Sequence, residues 1–199
     1  MIESKDGEVG EMSAPETQKK PTQGWYEFLR FAAVALALAL FVRFYVAQPF
    51  IVRGASMEPN FEDREYLVID EASYHFREPE RGEVVVFRYP RNTDEFFIKR
   101  IIGLPGEQVV ISGGHVKIIN AAHPEGFVLG ESYLSADVGT YLDQTKTLAA
   151  GQYFVLGDNR PASSDSRVWG VLDRGFIVGR VFFRAWPLTR LGIVLDNGQ

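Results

Sequence analysis

The chain has 199 residues, 46% of them hydrophobic and 24% charged, which is enough apolar material for one packed domain with an appendage. Lys plus Arg number 21 against 26 Asp plus Glu, so the formal net charge is -5 and no basic field exists to attract nucleic acid. The absence of cysteine excludes disulfides, thiolate metal sites and a thiol nucleophile, and His75, His115 and His123 stand at no metal-ligand spacing.

Residues 1–24 are rich in Glu, Lys, Pro, Thr and Gln and nearly free of large apolar side chains, which predicts a disordered tail. Residues 28–46, FLRFAAVALALALFVRFYV, are apolar at 17 of 19 positions, the exceptions being Arg30 and Arg43. A helix of that length matches the roughly 30 Å hydrocarbon thickness of a bilayer, and arginines near its ends can snorkel to the headgroups. The reading is a single transmembrane helix. A buried soluble helix would be polar on one face, and a cleavable signal sequence would not carry Tyr45 two residues before Ala47. Lys19, Lys20 and Arg30 outnumber Arg43 and Arg53, which leans towards a cytoplasmic N-terminus.

Residues 47–199 show short runs of Val, Ile, Phe and Tyr bounded by Gly, Pro, Asn and Asp. Strands are predicted at 50–54, 65–72, 82–90, 95–103, 152–157 and 176–187, with a hairpin turning at Ser112, Gly113 and Gly114. No long helical period follows the anchor and no strand-helix alternation occurs, so the expected fold is mainly β, an antiparallel barrel-like or sandwich-like domain. Residues 120–150 are polar and read as a surface excursion with one short strand near Tyr133.

With neither Cys nor His arrangements, hydrolysis is left to paired carboxylates, a threonine nucleophile, or a serine activated by a lysine. The lysine route needs an amine that can be neutral near physiological pH, which requires burial to lower its pKa by about two units or more. In EFFIKRIIG, strand alternation sets Lys99 with Phe97 and Ile101 on one face and Arg100 with Ile98 and Ile102 on the other. Periodicity leaves the buried face open. Arginine stays protonated in any protein environment, so only Lys99 can act as a base. Ser56, in GASMEPNF, follows a predicted strand and stands at a bend, where its own amide is free to face an oxyanion. In GDNRPASSDSRVWG, Asp165 can pair with Arg167 and brace a loop. Each segment by itself reads first as an ordinary turn, loop or edge strand.

Taken together and in this order, SMEP, IKRIIGLPGE (98–107) and GDNRPASSDSR resemble bacterial type I signal peptidase, a membrane-anchored serine endopeptidase with a serine and lysine dyad. RGEVVVF (81–87) and EQVVISGGHVKI are similar to intervening blocks of that family. The resemblance implies Ser56 as nucleophile and Lys99 as general base. It implies Ser163 hydrogen-bonded to the Lys99 amine, and Asp165 with Arg167 supporting the Ser163 loop. Pockets for small substrate residues are implied near Phe50, Val52, Met57, Phe97 and Ile98, with the substrate added as an extra strand. Gly54 departs from members that place a hydroxyl donor there, and Asn60, Phe61 and Glu107 replace commoner residues. The same resemblance implies secretory preproteins as substrates, no metal or organic cofactor, a plasma-membrane location with the peptidase domain outside the cytoplasm, and association with the export machinery. A self-cleaving repressor with the same pair would carry a DNA-binding N-terminus instead of an anchor, and an anchored peptide-binding homologue would lack the chemistry.

Overall fold

The computed structural model describes residues 22–41, 47–135 and 137–194, so the expectations for residues 1–21 and 42–46 lie outside the described residues. The chain divides into two compact units, residues 1–40 and 41–199. In the first unit helix α1 runs Thr22–Phe41, and residues 22–24, assigned by composition to the tail, form its first turn. Pro21, which cannot continue a helix interior, stands immediately before it. Trp25, Tyr26, Phe28, Phe31, Val34 and Leu38 are exposed and distributed around the helix. Glu27, Arg30 and the polar first turn lower its hydropathy, and no described helix is long and apolar enough to cross a membrane. Of the predicted span, residues 28–41 lie in α1.

The second unit consists of β1 Ala47–Ile51, β2 Tyr66–Asp70, β3 Val84–Tyr89, β4 Asn92–Gly103, β5 Gln108–Ser112, β6 His115–Asn120, β7 His123–Val128, β8 Gln144–Thr147, β9 Gln152–Leu156, β10 Leu172–Asp173, β11 Ile177–Trp186 and β12 Gly192–Ile193, with the one-turn helix α2 Ser166–Trp169. The described residues form two antiparallel sheets, a larger one ordered β1-β2-β11-β3-β4-β9-β10 with β12 on β11, and a smaller one ordered β7-β6-β5-β8. The mainly β, antiparallel expectation holds. The expected hairpin closes β5 on β6 with Ser112 opposite His115, and Gly113 and Gly114 take the positive φ values of 59° and 85° that the turn demands.

Residues 120–150 differ from expectation: they contain β7 and β8, which complete the smaller sheet, and Tyr133 lies in a turn. The reason is compositional. QTKT in β8 and HPEGFV in β7 lie at the two edges of that sheet and bury little, so neither shows the apolar alternation that betrays a strand.

β4 organises the larger sheet, because residues 98–103 are buried without interruption, as expected of a strand covered on both sides. Ile98 joins one apolar cluster with Val52, Met57, Phe61 and Leu67, whereas Ile101 joins a second with Val85, Phe87 and Val155. Ile102, with Phe154 and Leu156 of β9, packs on Val109, Ile111, Val116 and Ile118 of the smaller sheet. β4 pairs β3 from Asn92 to Arg100, but its other edge pairs β9 only at residues 100–103. Among the described residues, 92–99 therefore keep a free edge, and β1, which pairs only β2, keeps another. Pro49, lacking an N–H, suits that edge position.

Candidate active site

Two loops and the middle of β4 build the site. The first loop is closed at its base by Val52 N–H donating to Glu65 O (2.9 Å) and Arg64 N–H donating to Val52 O (2.9 Å). Inside it Phe61 N–H donates to Met57 O at 2.9 Å, and both side chains are sunk in the core. Ser56 is thereby held between a closed strand end and a buried anchor. Gly54, at φ 85°, donates its N–H to Asp63 Oδ1 at 2.8 Å.

The second loop, residues 157–170, is bonded directly to the first. Asn159 N–H donates to Ser56 O (3.1 Å) and its Nδ2 to Ala55 O (2.9 Å). A Cβ on Gly157 would lie 2.5 Å from Ser56 O and would run into Ser163, so the approach of the loops requires glycine. Asp165, fully buried, caps α2 and accepts from Gly157 N–H (3.0 Å) and from Arg167 Nε and Nη2 (both 2.8 Å). Arg167 Nη2 also donates to Arg160 O at 2.6 Å. This is the predicted Asp165–Arg167 pair, in the fork geometry that fixes orientation as well as charge.

Lys99 projects towards the first loop. Its Nζ lies 2.8 Å from Ser56 Oγ and 2.8 Å from Ile98 O, and 5.4 Å from the centre of the Phe97 ring. Only 3% of the residue is exposed. Burial pushes the amine down from its ordinary value near 10.5 to about 8, against the opposing pull of Asp165 and Asp158. The amine thus has a hydroxyl within transfer distance and a pKa near the working range of a general base.

Ser163 differs from expectation. Its Oγ is buried with no hydrogen-bond partner among the described residues, and the Lys99 amine bonds Ile98 O and Ser56 Oγ instead. The loop turns the Ser163 side chain towards Gly157, where the missing Cβ leaves it room.

Ser56 and Lys99 open into a cleft of about 870 Å³ whose walls are residues 49–55 on one side and 94–98 on the other. Phe50, Val52, Phe97 and Ile98 line it as predicted. Met57 does not. It is fully buried and packs among Val52, Phe61 and Ile98, because the turn after Ser56 sends its side chain into the core. Phe96, which no motif singled out, meets Phe50 edge-on across the cleft with ring centres 5.4 Å apart. Arg100, excluded as a base, has a structural part instead. It is 4% exposed and donates Nε and Nη2 to Asp158 Oδ1 (2.9 Å) and Oδ2 (2.6 Å), with Tyr133 under its guanidinium at 4.1 Å. The adjacency of Arg100 to Lys99 and of Asp158 to Gly157 was the available signal.

An antiparallel β domain that sets a serine hydroxyl against a desolvated amine is the equipment of a hydrolase. The family described as signal peptidase, peptidase S26, matches residues 25–186. The chain belongs to that family. It is 38% identical to the probable signal peptidase I-2 of Synechocystis sp. over 92% of this chain and 85% of that protein. It is 36% identical to signal peptidase I of Leptolyngbya laminosa over 88% and 87% of the two chains, and 31% identical to signal peptidase IB of Staphylococcus aureus over 82% and 90%. A crystal structure of a signal peptidase I from Enterococcus faecalis is 33% identical and aligns with a TM-score of 0.44, covering 53% of this chain and 97% of that one.

Proposed function

We propose that this chain is a membrane-anchored serine endopeptidase that removes N-terminal signal peptides from exported preproteins, cutting after small residues with Ser56 as nucleophile and Lys99 as base. The observation that carries the proposal is the 2.8 Å separation of Ser56 Oγ and Lys99 Nζ, with the amine buried and its pKa near 8. About a tenth of such lysines are neutral at pH 7.

In the neutral form the amine lone pair takes the Ser56 proton as Oγ bonds to the peptide carbonyl carbon. The charge that develops on the carbonyl oxygen is met by the Ser56 N–H, since Gly54 offers no hydroxyl and its own N–H is committed to Asp63. The Lys99 ammonium then gives its proton to the departing amide nitrogen as the C–N bond breaks. Water, deprotonated by the same amine, attacks the ester carbon, and Oγ leaves with the returned proton. Asp165 and Arg167 hold the loop on which Ser163 sits.

The cleft accepts the substrate as an extended strand. The free edges of β1 and of residues 92–99 both border it, and Phe50, Val52, Phe97 and Ile98 line it. The two sheets form a sandwich-like frame behind it. The apolar exposed helix α1 and the apolar run that continues past it anchor the domain in the bilayer, on the extracytoplasmic side of the plasma membrane, where preproteins emerge from the export machinery. Tethering there raises the effective concentration of the cleavage site.

Ser56→Ala and Lys99→Ala should each abolish cleavage of a secretory preprotein in detergent, and wild-type cleavage should rise with pH through about 8 and level off above it. The sign follows from the base: deprotonation of Lys99 creates the active form. Retained cleavage by either variant, or a flat profile, rejects the dyad. A non-catalytic peptide-binding homologue would need the cleft but not a buried amine, so the position of Lys99 favours the enzyme.

A further inference from the structure

The segment that follows the nucleophile is held from outside by two arginines of the C-terminal region. Arg184 lies on β11, and Arg190 ends the 3-10 turn Leu188–Arg190 that precedes β12. Arg190 Nη2 donates to Pro59 O (3.1 Å) and Asn60 O (3.0 Å), and Arg184 Nη2 donates to Asn60 O (2.6 Å). The guanidinium of Arg184 lies over the Phe61 ring, 5.0 Å from its centre. The remaining nitrogens face carboxylates. Arg184 Nε and Arg190 Nη1 are each 2.8 Å from buried Glu65, and Arg190 Nη1 is 2.8 Å from Glu62. These are charge contacts without aligned hydrogen bonds, whereas the bonds to the carbonyls of Pro59 and Asn60 are directional. The carboxylates hold the arginines, and the arginines hold the backbone.

Asn60 passes that constraint on in two directions. Along the backbone, the next residue donates from Phe61 N to Met57 O, closing the turn that carries Ser56. Through its side chain, Asn60 Nδ2 donates to Asp158 Oδ2 at 2.8 Å, and Asp158 is paired with Arg100, the neighbour of Lys99. The Asn60 carbonyl is thus a shared fixed point for both partners of the proposed dyad, yet Arg190 itself does not line the cleft.

We infer that Arg190 is a positioning residue for Ser56: by fixing the Pro59 and Asn60 carbonyls it sets the turn that delivers the Ser56 hydroxyl to the Lys99 amine. The inference rests on the Ser56–Lys99 reading above. Arg184 is the poorer handle, since it also covers Phe61 in the core. Arg190 is 30% exposed and leaves Glu65 paired with Arg184 when removed.

The test uses the full chain in detergent with a labelled preprotein, comparing wild type, Arg190→Gln, Arg190→Lys, Ser56→Ala and, as a control, Arg174→Gln. Arg174 has a similar exposure of 28% and pairs with Glu78, far from the nucleophile loop in the bond network. The expected result for Arg190→Gln is a kcat about tenfold or more below wild type, with KM within twofold and the pH midpoint unmoved, because the environment of Lys99 is untouched and only the attack geometry is degraded. Arg190→Lys should recover part of the loss, since one ammonium can donate to these carbonyls but lacks the second nitrogen that faces Glu62 and Glu65. Thermal midpoints measured on the same samples separate loss of fold from loss of geometry. Wild-type kcat in folded Arg190→Gln, or an equal loss in Arg174→Gln, overturns the inference. Full cleavage by Ser56→Ala overturns the dyad reading and the inference with it, which is a different result from either of those.

Discussion

Neighbouring positions on β4 bury one cation each, and the strand treats them in opposite ways. Lys99 is 3% exposed and Arg100 is 4% exposed, so both have lost nearly all their water. On the Arg100 side the loss is compensated by the two oxygens of Asp158, by Gly82 O at 2.8 Å and by the Tyr133 ring. On the Lys99 side the partners are a hydroxyl, a carbonyl and an aromatic face, and no carboxylate among the described residues comes within ion-pair reach. Burial is therefore not what makes a base. Burial without a counter-charge is, in a side chain that can let its proton go.

Exchanging the chemistry across this divide gives the largest effect. Lys99→Arg places a group that cannot be neutral against Ser56, and cleavage should fall by on the order of 10⁴-fold or more at every pH up to 10, in protein whose circular dichroism stays native. Appreciable cleavage by this variant would mean the base lies elsewhere. Removing the counter-charge on the other side comes next. Asp158→Ala leaves Arg100 buried without its counter-charge and takes an acceptor from Asn60, which should cost about 3–5 kcal/mol in denaturant unfolding. Smallest is the gain from abolishing the unpaired amine. Lys99→Met should stabilise the fold by on the order of 1–3 kcal/mol at pH 7. The sign comes from the depressed pKa: between about 8 and 10.5 the unfolded chain binds the extra proton, so the cost of the amine is full below pH 8 and fades above. A melting temperature that falls in Lys99→Met would show that the lysine is not strained by its site.

The parts of this site visible in the sequence are those whose reason is local. Strand β4 is announced by its apolar run, the hairpin at Gly113 and Gly114 by its turn residues, and Asp165 with Arg167 by being two residues apart. What stayed hidden depends on partners brought from far away. Arg100 meets Asp158 across 58 residues and Arg160 meets Glu131 across 29, and adjacency to a site motif marks Arg100 and Asp158 as candidates without specifying which partner each takes. Met57 was misread because the resemblance supplied a residue but not the direction of its side chain, which the turn after Ser56 sends inward. β7 and β8 escaped because edge strands of a half-exposed sheet need no apolar alternation.

The free edge of β4 at residues 92–99 carries a liability as well as a use. An unpaired strand edge beside an apolar trough can pair with an extended chain, including the same strand of a neighbouring molecule, and that is how sheets grow into aggregates. Asp94 and Glu95 stand at the mouth of the trough, on a molecule of net charge -5. Two such rims brought face to face repel, so the acidic pair opposes edge-to-edge pairing of one molecule with another.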